Sequence, residues 1–252
     1  MINTYWGNAR EHHVLYLDSH SPSWVKRSII QYNRSFTKSK KFGFKTSTAD
    51  GSAVQGDVGI CDSLFFEGIT FKNVPFYVMP DTSKDNTPGN GALGIDAMSK
   101  AIWKIDFTRS ELTCASGIDS FKEVTQTEIL PATFSRQSIT VNVDFGHDNV
   151  KPMAIDLGYD GDMLLPGRDL DNTRSTKKFV WSGKFKTPAG ERNVSNVSFL
   201  DTVRINRNWF FAEISTNETV SERLIGLAFF RRFDFVIFDF VNKRIYLPKK
   251  IW

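Results

Sequence analysis

One grammar occurs twice in this chain, and any fold has to accommodate both copies. Near the end stands "LIGLAFFRRFDFVIFDFVNKRIYLP": a hydrophobic-hydrophobic-Gly triplet, a short amphipathic segment, a strand closing in "FDF", a polar turn and a final strand. Mid-chain, "ALGIDAMSKAIWKIDFTRSELTC" repeats it, Ala92-Leu93-Gly94 answering Leu224-Ile225-Gly226 and Ile105-Asp106-Phe107 answering Phe238-Asp239-Phe240. The interval from glycine to aspartate is 12 residues in one copy and 13 in the other. Upstream of each glycine an apolar run ends in aspartate. "VLYLD" reaches Asp18, 76 residues before Gly94, and "PMAID" reaches Asp156, 70 residues before Gly226.

Between these landmarks each copy holds paired alternating segments, "ADGSAVQGDVGICDSLFFEGITFKNVPFYVM" in the first and "PAGERNVSNVSFLDTVRINRNWFFAEIS" in the second. Alternation broken by Gly, Asn and Asp at turns predicts hairpins. The abundance of Phe, 22 of 252 residues, in short runs with Val and Ile points to strands over helices. The chain thus reads as all-β, two copies of one unit of roughly 110 to 120 residues. The divide falls within residues 115–132, giving an N-terminal lobe at 1–120 with Asp18 and a C-terminal lobe at 121–252 with Asp156.

Duplicated units commonly pack about a two-fold axis, which brings equivalent residues together. Alone, either aspartate reads as a turn residue after a strand. As a related pair, Asp18 and Asp156 are candidates to face each other.

Other chemistries find little support in the residues. Cys61 and Cys114 make neither a disulfide framework nor a zinc ligand set, although a single bridge between them stays open. The four histidines, including His12, His13 and His20, stand in no metal-binding spacing, so no metal is expected. A formal charge of +4, with basic residues scattered apart from "TKSKKFGFK" and "FRRF", predicts solvated faces rather than a nucleic-acid groove. No run approaches the roughly 18 apolar residues of a membrane span, and the opening "MINTYWGNAREHH" lacks the apolar core of a signal peptide. "GNGALG", Gly89 to Gly94, misses the spacing of a phosphate loop and reads as the lead into the triplet. Trp24, Trp103 and Trp181 read as core residues.

The whole pattern, from about residue 12 to 248, resembles the aspartic peptidases, pepsin-like and retropepsin-like, in their bilobed form. In that family each lobe offers a strand ending in hydrophobic-Asp-Thr/Ser-Gly, then a hairpin flap, then a hydrophobic-hydrophobic-Gly triplet beneath the loop. The C-terminal run is similar to that of bacterial retropepsin-like proteins. "LYLDSHSPSWV" resembles the pepsin-type "FDTGSSNLWV" in Asp18, Ser19, Ser21, Trp24 and Val25. "AIDLGYDGDMLLP" resembles "IDTGASGTFLP" in Ile155, Asp156, Gly158, Gly161, Leu165 and Pro166.

The resemblance implies an acid-protease-like fold: two β-barrel-like lobes about a pseudo-two-fold axis, with a cleft between them. It further implies an aspartic endopeptidase with Asp18 and Asp156 as the catalytic dyad. Ser19, Ser21 and Gly158 would supply supporting hydrogen bonds, and Asp50, Gly51 and Ser52 the flap tip. It implies a monomer with a peptide or protein substrate, no cofactor, and an extracytoplasmic location, periplasmic or secreted. Two adjacent carboxylates share one proton because both cannot easily ionise. The ionised member then takes a proton from a water between them while the other protonates the peptide carbonyl.

The motifs are degenerate at two positions. His20 stands where the family has Gly, so a side chain is expected to restrict the turn and, when charged, to depress an aspartate pKa. Leu157 replaces the second hydroxyl of a reciprocal pair between the lobes, leaving Ser19 without its symmetrical partner. These departures motivate a second expectation, a non-catalytic relative that binds an extended peptide or partner protein in the cleft.

Overall fold

A computed structural model describes residues 1–31, 33–47, 53–80, 89–146, 149–172, 179–187 and 190–249. The flap tip expected at Asp50, Gly51 and Ser52 lies outside them. The strands are β1 (Ile2–Trp6), β2 (Glu11–Asp18), β3 (Trp24–Lys26), β4 (Phe36–Ser47), β5 (Ala53–Phe66), β6 (Ile69–Met79), β7 (Gly91–Gly94), β8 (Ile102–Asp106), β9 (Glu111–Ala115), β10 (Thr127–Leu130) and β11 (Thr133–Phe134). They continue as β12 (Ile139–Asp144), β13 (Val150–Ile155), β14 (Met163–Pro166), β15 (Phe179–Thr187), β16 (Gly190–Ile205), β17 (Asn208–Asn217), β18 (Leu224–Ile225), β19 (Phe235–Asp239) and β20 (Arg244–Pro248). Among the described residues the α-helices are single turns: α1 (Arg27–Ile30), α2 (Ile95–Met98) and α3 (Leu227–Phe230).

The protein is all-β and two-lobed, and each lobe closes on itself. Pairing of β1 with β5 completes the ring β1-β2-β7-β3-β6-β5, and pairing of β12 with β16 completes β12-β13-β18-β14-β17-β16. Both six-stranded barrels carry the same two parallel contacts, β2–β7 and β3–β6 in the first, β13–β18 and β14–β17 in the second. The repeated grammar is thus a repeated topology. Residue alternation enforces it locally: in "INTYW" every second side chain is buried, and "ITVNVD" alternates likewise.

A five-stranded sheet joins the lobes. Hairpins β8-β9 and β19-β20 meet through the antiparallel β8–β19 pair, in which Trp103 stands opposite Phe238, and β10 adds to β20. Trp103 and Phe238 are both fully buried. The largest apolar cluster runs through both lobes, including Trp6, Phe76 and Leu93 from the first and Phe229, Phe230 and Phe238 from the second. Burial of that much aromatic surface is the main force holding the barrels in one orientation.

The aspartates in "KIDF" and "FDF" have a local purpose. Asp106 Oδ1 accepts the Arg109 N–H at 3.0 Å and Asp239 Oδ1 accepts the Asn242 N–H at 2.8 Å. Each closes an Asx-type turn, followed by a residue in the left-handed region, Ser110 at φ 55° and Lys243 at φ 57°. Trp24 and Trp103 are core residues, as expected, while the Trp181 side chain lies outside the description. Cys61 and Cys114 are both buried free thiols, so the single bridge left open by the sequence is not formed.

Candidate functional site

Asp18 ends β2 and Asp156 directly follows β13, the equivalent strand of the other barrel. Each loop that follows is pressed onto a triplet glycine. A Cβ on Gly94 would lie 2.2 Å from the Pro22 carbonyl carbon, and one on Gly226 would lie 2.2 Å from the Gly161 carbonyl oxygen. The triplets therefore require glycine because loop backbone occupies the space a side chain would need. Backbone bonds lock the same contact: Ile95 N–H donates to Ser21 O at 2.9 Å, and Leu227 N–H to Tyr159 O at 2.8 Å.

This frame brings the two carboxylates together. A Cβ built on Gly158 would stand 3.1 Å from both Asp156 Oδ1 and Asp18 Oδ2, so those oxygens are no further apart than twice that distance. Matching main-chain donors serve the pair: His20 N–H reaches Asp18 Oδ1 at 3.1 Å, and Gly158 N–H reaches Asp156 Oδ1 at 2.8 Å. Burial raises Asp18 against the opposing effects of the Ser21 hydroxyl, the His20 N–H and charge, and Asp156. Burial and then the charge of Asp18 push Asp156 up to about 7, against His20 and the N–H groups of Gly158 and Tyr159. The interaction is one-sided, Asp156 favouring the ionised form of Asp18 and the Asp18 charge opposing that of Asp156, as for two carboxyls that hold one proton between them.

Ser19 is fully buried and crosses between the lobes. Its hydroxyl donates to Ile155 O at 2.7 Å and accepts the Leu157 N–H at 3.1 Å. Leu157 offers no hydroxyl in return and instead packs into the main apolar cluster, 5% exposed. Only half of a reciprocal arrangement is present. The Ser21 hydroxyl donates to Pro22 O at 3.1 Å, and Ser21 also acts to lower Asp18.

His20 behaves differently from its sequence expectation. It takes no left-handed conformation, and its N–H still reaches Asp18, so the side chain does not spoil the turn. Its charge does act to lower both aspartates, yet burial outweighs it and both remain raised. The imidazole extends to the opposite lobe, where Nε2 contacts Glu222 Oε2 in an ion pair. Burial disfavours the imidazolium, but the hydrogen bond and charge of Glu222, with the charges of Asp156 and Asp18, together raise His20 above its ordinary value. The hydrogen bond from His20 in turn holds Glu222 below its own.

Glu222 has no signature in the sequence. It stands four residues before Gly226, where the first copy has Asn90, and Asn90 serves only its own barrel through the Val14 N–H at 2.8 Å. Tyr159, also unforeseen, lies so close to Gly161 that a Cβ there would be 2.2 Å from its hydroxyl. Burial pushes its phenol up to about 12 despite the hydrogen bond with Ser215. Among the described residues no group of three or more His, Cys, Asp or Glu could hold a metal ion, and no helix is long and apolar enough to cross a membrane.

No family model and no curated protein matches this chain in sequence. Solved structures match it in fold. Basic 7S globulin from soybean superposes with a TM-score of 0.59 at 11% identity, over 98% of this chain and 90% of its own. Conglutin gamma, a basic 7S globulin from lupine seeds, does so at 0.54 and 11% identity, over 99% and 94%. What they share with this chain is the two-lobed fold. Neither is named as a peptidase.

Proposed function

We propose that the chain is an aspartic-peptidase-like protein whose cleft binds an extended polypeptide without cleaving it. The observation that carries this reading is His20: where the other lobe has a glycine beside the carboxylates, an imidazole lies against the dyad and is tied across to Glu222. A water-activating pair needs open space above it and a carboxylate basic enough to take a proton. The His20 ring takes up space, and its positive charge weakens whichever carboxylate acts as base. The missing hydroxyl at Leu157 further removes half of the lobe-to-lobe support behind the pair. Two closed barrels facing one groove still suit an extended chain, bound through its backbone.

The reading is tested by incubating the purified chain with an unfolded protein from acid to neutral pH. Expected is no cleavage, together with saturable binding of a peptide that carries a non-cleavable hydroxyl-bearing isostere. A second reading, hydrolysis at Asp18 and Asp156, is favoured by one observation, the close approach of two carboxylates that each receive a main-chain N–H. Cleavage that disappears in both Asp18→Asn and Asp156→Asn would establish that second reading in place of the first.

A further inference from the structure

We infer that His20 and Glu222 form a bar across the floor of the cleft, which an incoming polypeptide must open, and that Glu222 is its positioning residue. The inference rests on the polypeptide-binding reading above. Its two ends belong to different lobes: His20 to the loop after β2, Glu222 to the segment leading into β18, 202 residues away. Everything about the Glu222 end is anchored. Arg223 donates to Asp169 through Nε at 2.6 Å and Nη2 at 3.1 Å, and Asp169 is buried. Arg168 donates to Ser221 O at 3.3 Å, and Arg223 O accepts the Ala154 N–H at 2.8 Å. These bonds clamp the main chain on either side of Glu222 while its carboxylate stays half exposed.

At the His20 end the main chain is tied by its N–H to Asp18 Oδ1 at 3.1 Å, and the ring is held through Nε2. Beyond the Nε2 contact, the buried Nδ1 has no hydrogen-bond partner among the described residues. Losing Glu222 would strand both ring nitrogens, and the imidazole would then turn towards water. The charged groups facing it are all acidic: Asp18 on its own loop, Asp156 on the matching loop and Glu222. At the equivalent Gly158 a single added carbon would already touch both carboxylates, which shows how little room the floor has for a ring and a peptide backbone together.

The bar has a pH window. His20, raised when folded, contributes fully below its ordinary value of about 6.5 and is lost as pH rises through the raised value. Glu222, depressed, contributes fully above its ordinary value of about 4.5 and is lost as pH falls through the depressed one. The bar is therefore shut in mildly acidic solution and opens on the alkaline side.

The test measures affinity for the hydroxyl-bearing isostere peptide in wild type, His20→Gly and Glu222→Gln, with thermal unfolding and the imidazole NMR titration as companions. Gly158 shows that glycine fits this turn. At about pH 6 both variants should bind about tenfold tighter than wild type, and the difference should shrink in alkaline solution. In Glu222→Gln the His20 titration should move down. Equal affinities in all three proteins would overturn the bar while leaving cleft binding intact. Absence of binding by every one of them, His20→Gly included, would overturn cleft binding and the bar with it.

Discussion

In the first lobe the aspartate loop runs six residues from Asp18 to Trp24, and side chains hold it. Ser23 Oγ accepts the Gly94 N–H at 2.9 Å and donates to Asp96 Oδ1 at 2.6 Å, while Ser23 N–H reaches the same oxygen at 2.9 Å. The second lobe takes eight residues from Asp156 to the register-equivalent Leu164, and main chain does that work. Gly226 N–H donates to Asp162 O at 2.8 Å and Ala228 N–H to Gly161 O at 3.2 Å. An Arg232–Asp162 ion pair, joined by the Glu213 N–H at 2.9 Å, fixes the longer loop to β17. The lobes thus reach one backbone geometry around each carboxylate by different means. What differs is the set of side chains beside the pair: Ser19, His20 and Ser21 on one side, Leu157, Gly158 and Tyr159 on the other. Equivalence of the frame does not carry equivalence of chemistry.

The comparison can be broken most severely at the shared sheet. Truncating Trp103 to Ala should cost about 3–5 kcal/mol, because a fully buried ring opposite Phe238 leaves a cavity common to both lobes. Denaturant titration should show one cooperative transition shifted as a whole. A split into two transitions would mean that the barrels are stabilised independently.

Next in size is the acid-base asymmetry. Asp156, pushed up to about 7 when folded, holds its proton more tightly in the native than in the unfolded chain. Its contribution is therefore present at low pH and lost as pH rises through that range, lowering stability by about 1–3 kcal/mol after allowance for solvent screening. Urea midpoints in Asp156→Asn should lose that decline. An unchanged pH profile in the variant would place the decline elsewhere.

Ser19→Ala sharpens the one-sided hydroxyl. It leaves the Ile155 carbonyl and the Leu157 N–H without their partner and should cost about 1–3 kcal/mol by thermal or denaturant unfolding. A neutral result would show that solvent replaces the hydroxyl. The smallest effect belongs to the turn aspartates: Asp106→Ala removes the Asx-type bond and the Lys104 ion pair at 3.1 Å, Asp239→Ala the Asx-type bond and the Asn242 Nδ2 bond at 2.8 Å, and each should cost about 1–2 kcal/mol by denaturant unfolding. A neutral result at either position would show that the turn holds without its aspartate.

Much of this was legible beforehand. The two-lobed all-β fold followed from spacing, because a triplet glycine and a strand-end aspartate make steric demands that any copy of the unit must repeat. Four aspartates recur at matched positions, and the runs "LYLDSHSPSWV" and "AIDLGYDGDMLLP" singled out Asp18 and Asp156 as the pair expected to face each other. What the structure added is that Asp106 and Asp239 close turns. His20 stood out as a departure, but its partner did not: Glu222 is polar, partly exposed and without a motif, like many surface glutamates.

By itself, then, the sequence determined a duplicated frame, because strand alternation, turn residues and close-packed glycines act over a few neighbours and leave a readable pattern. Only the tertiary structure decided which side chains confront one another across the axis. The His20–Glu222 pair and the Ser19 bonds to Ile155 and Leu157 exist because two separately closed barrels dock at one angle, and a contact over 202 or 136 residues leaves no local trace in either segment.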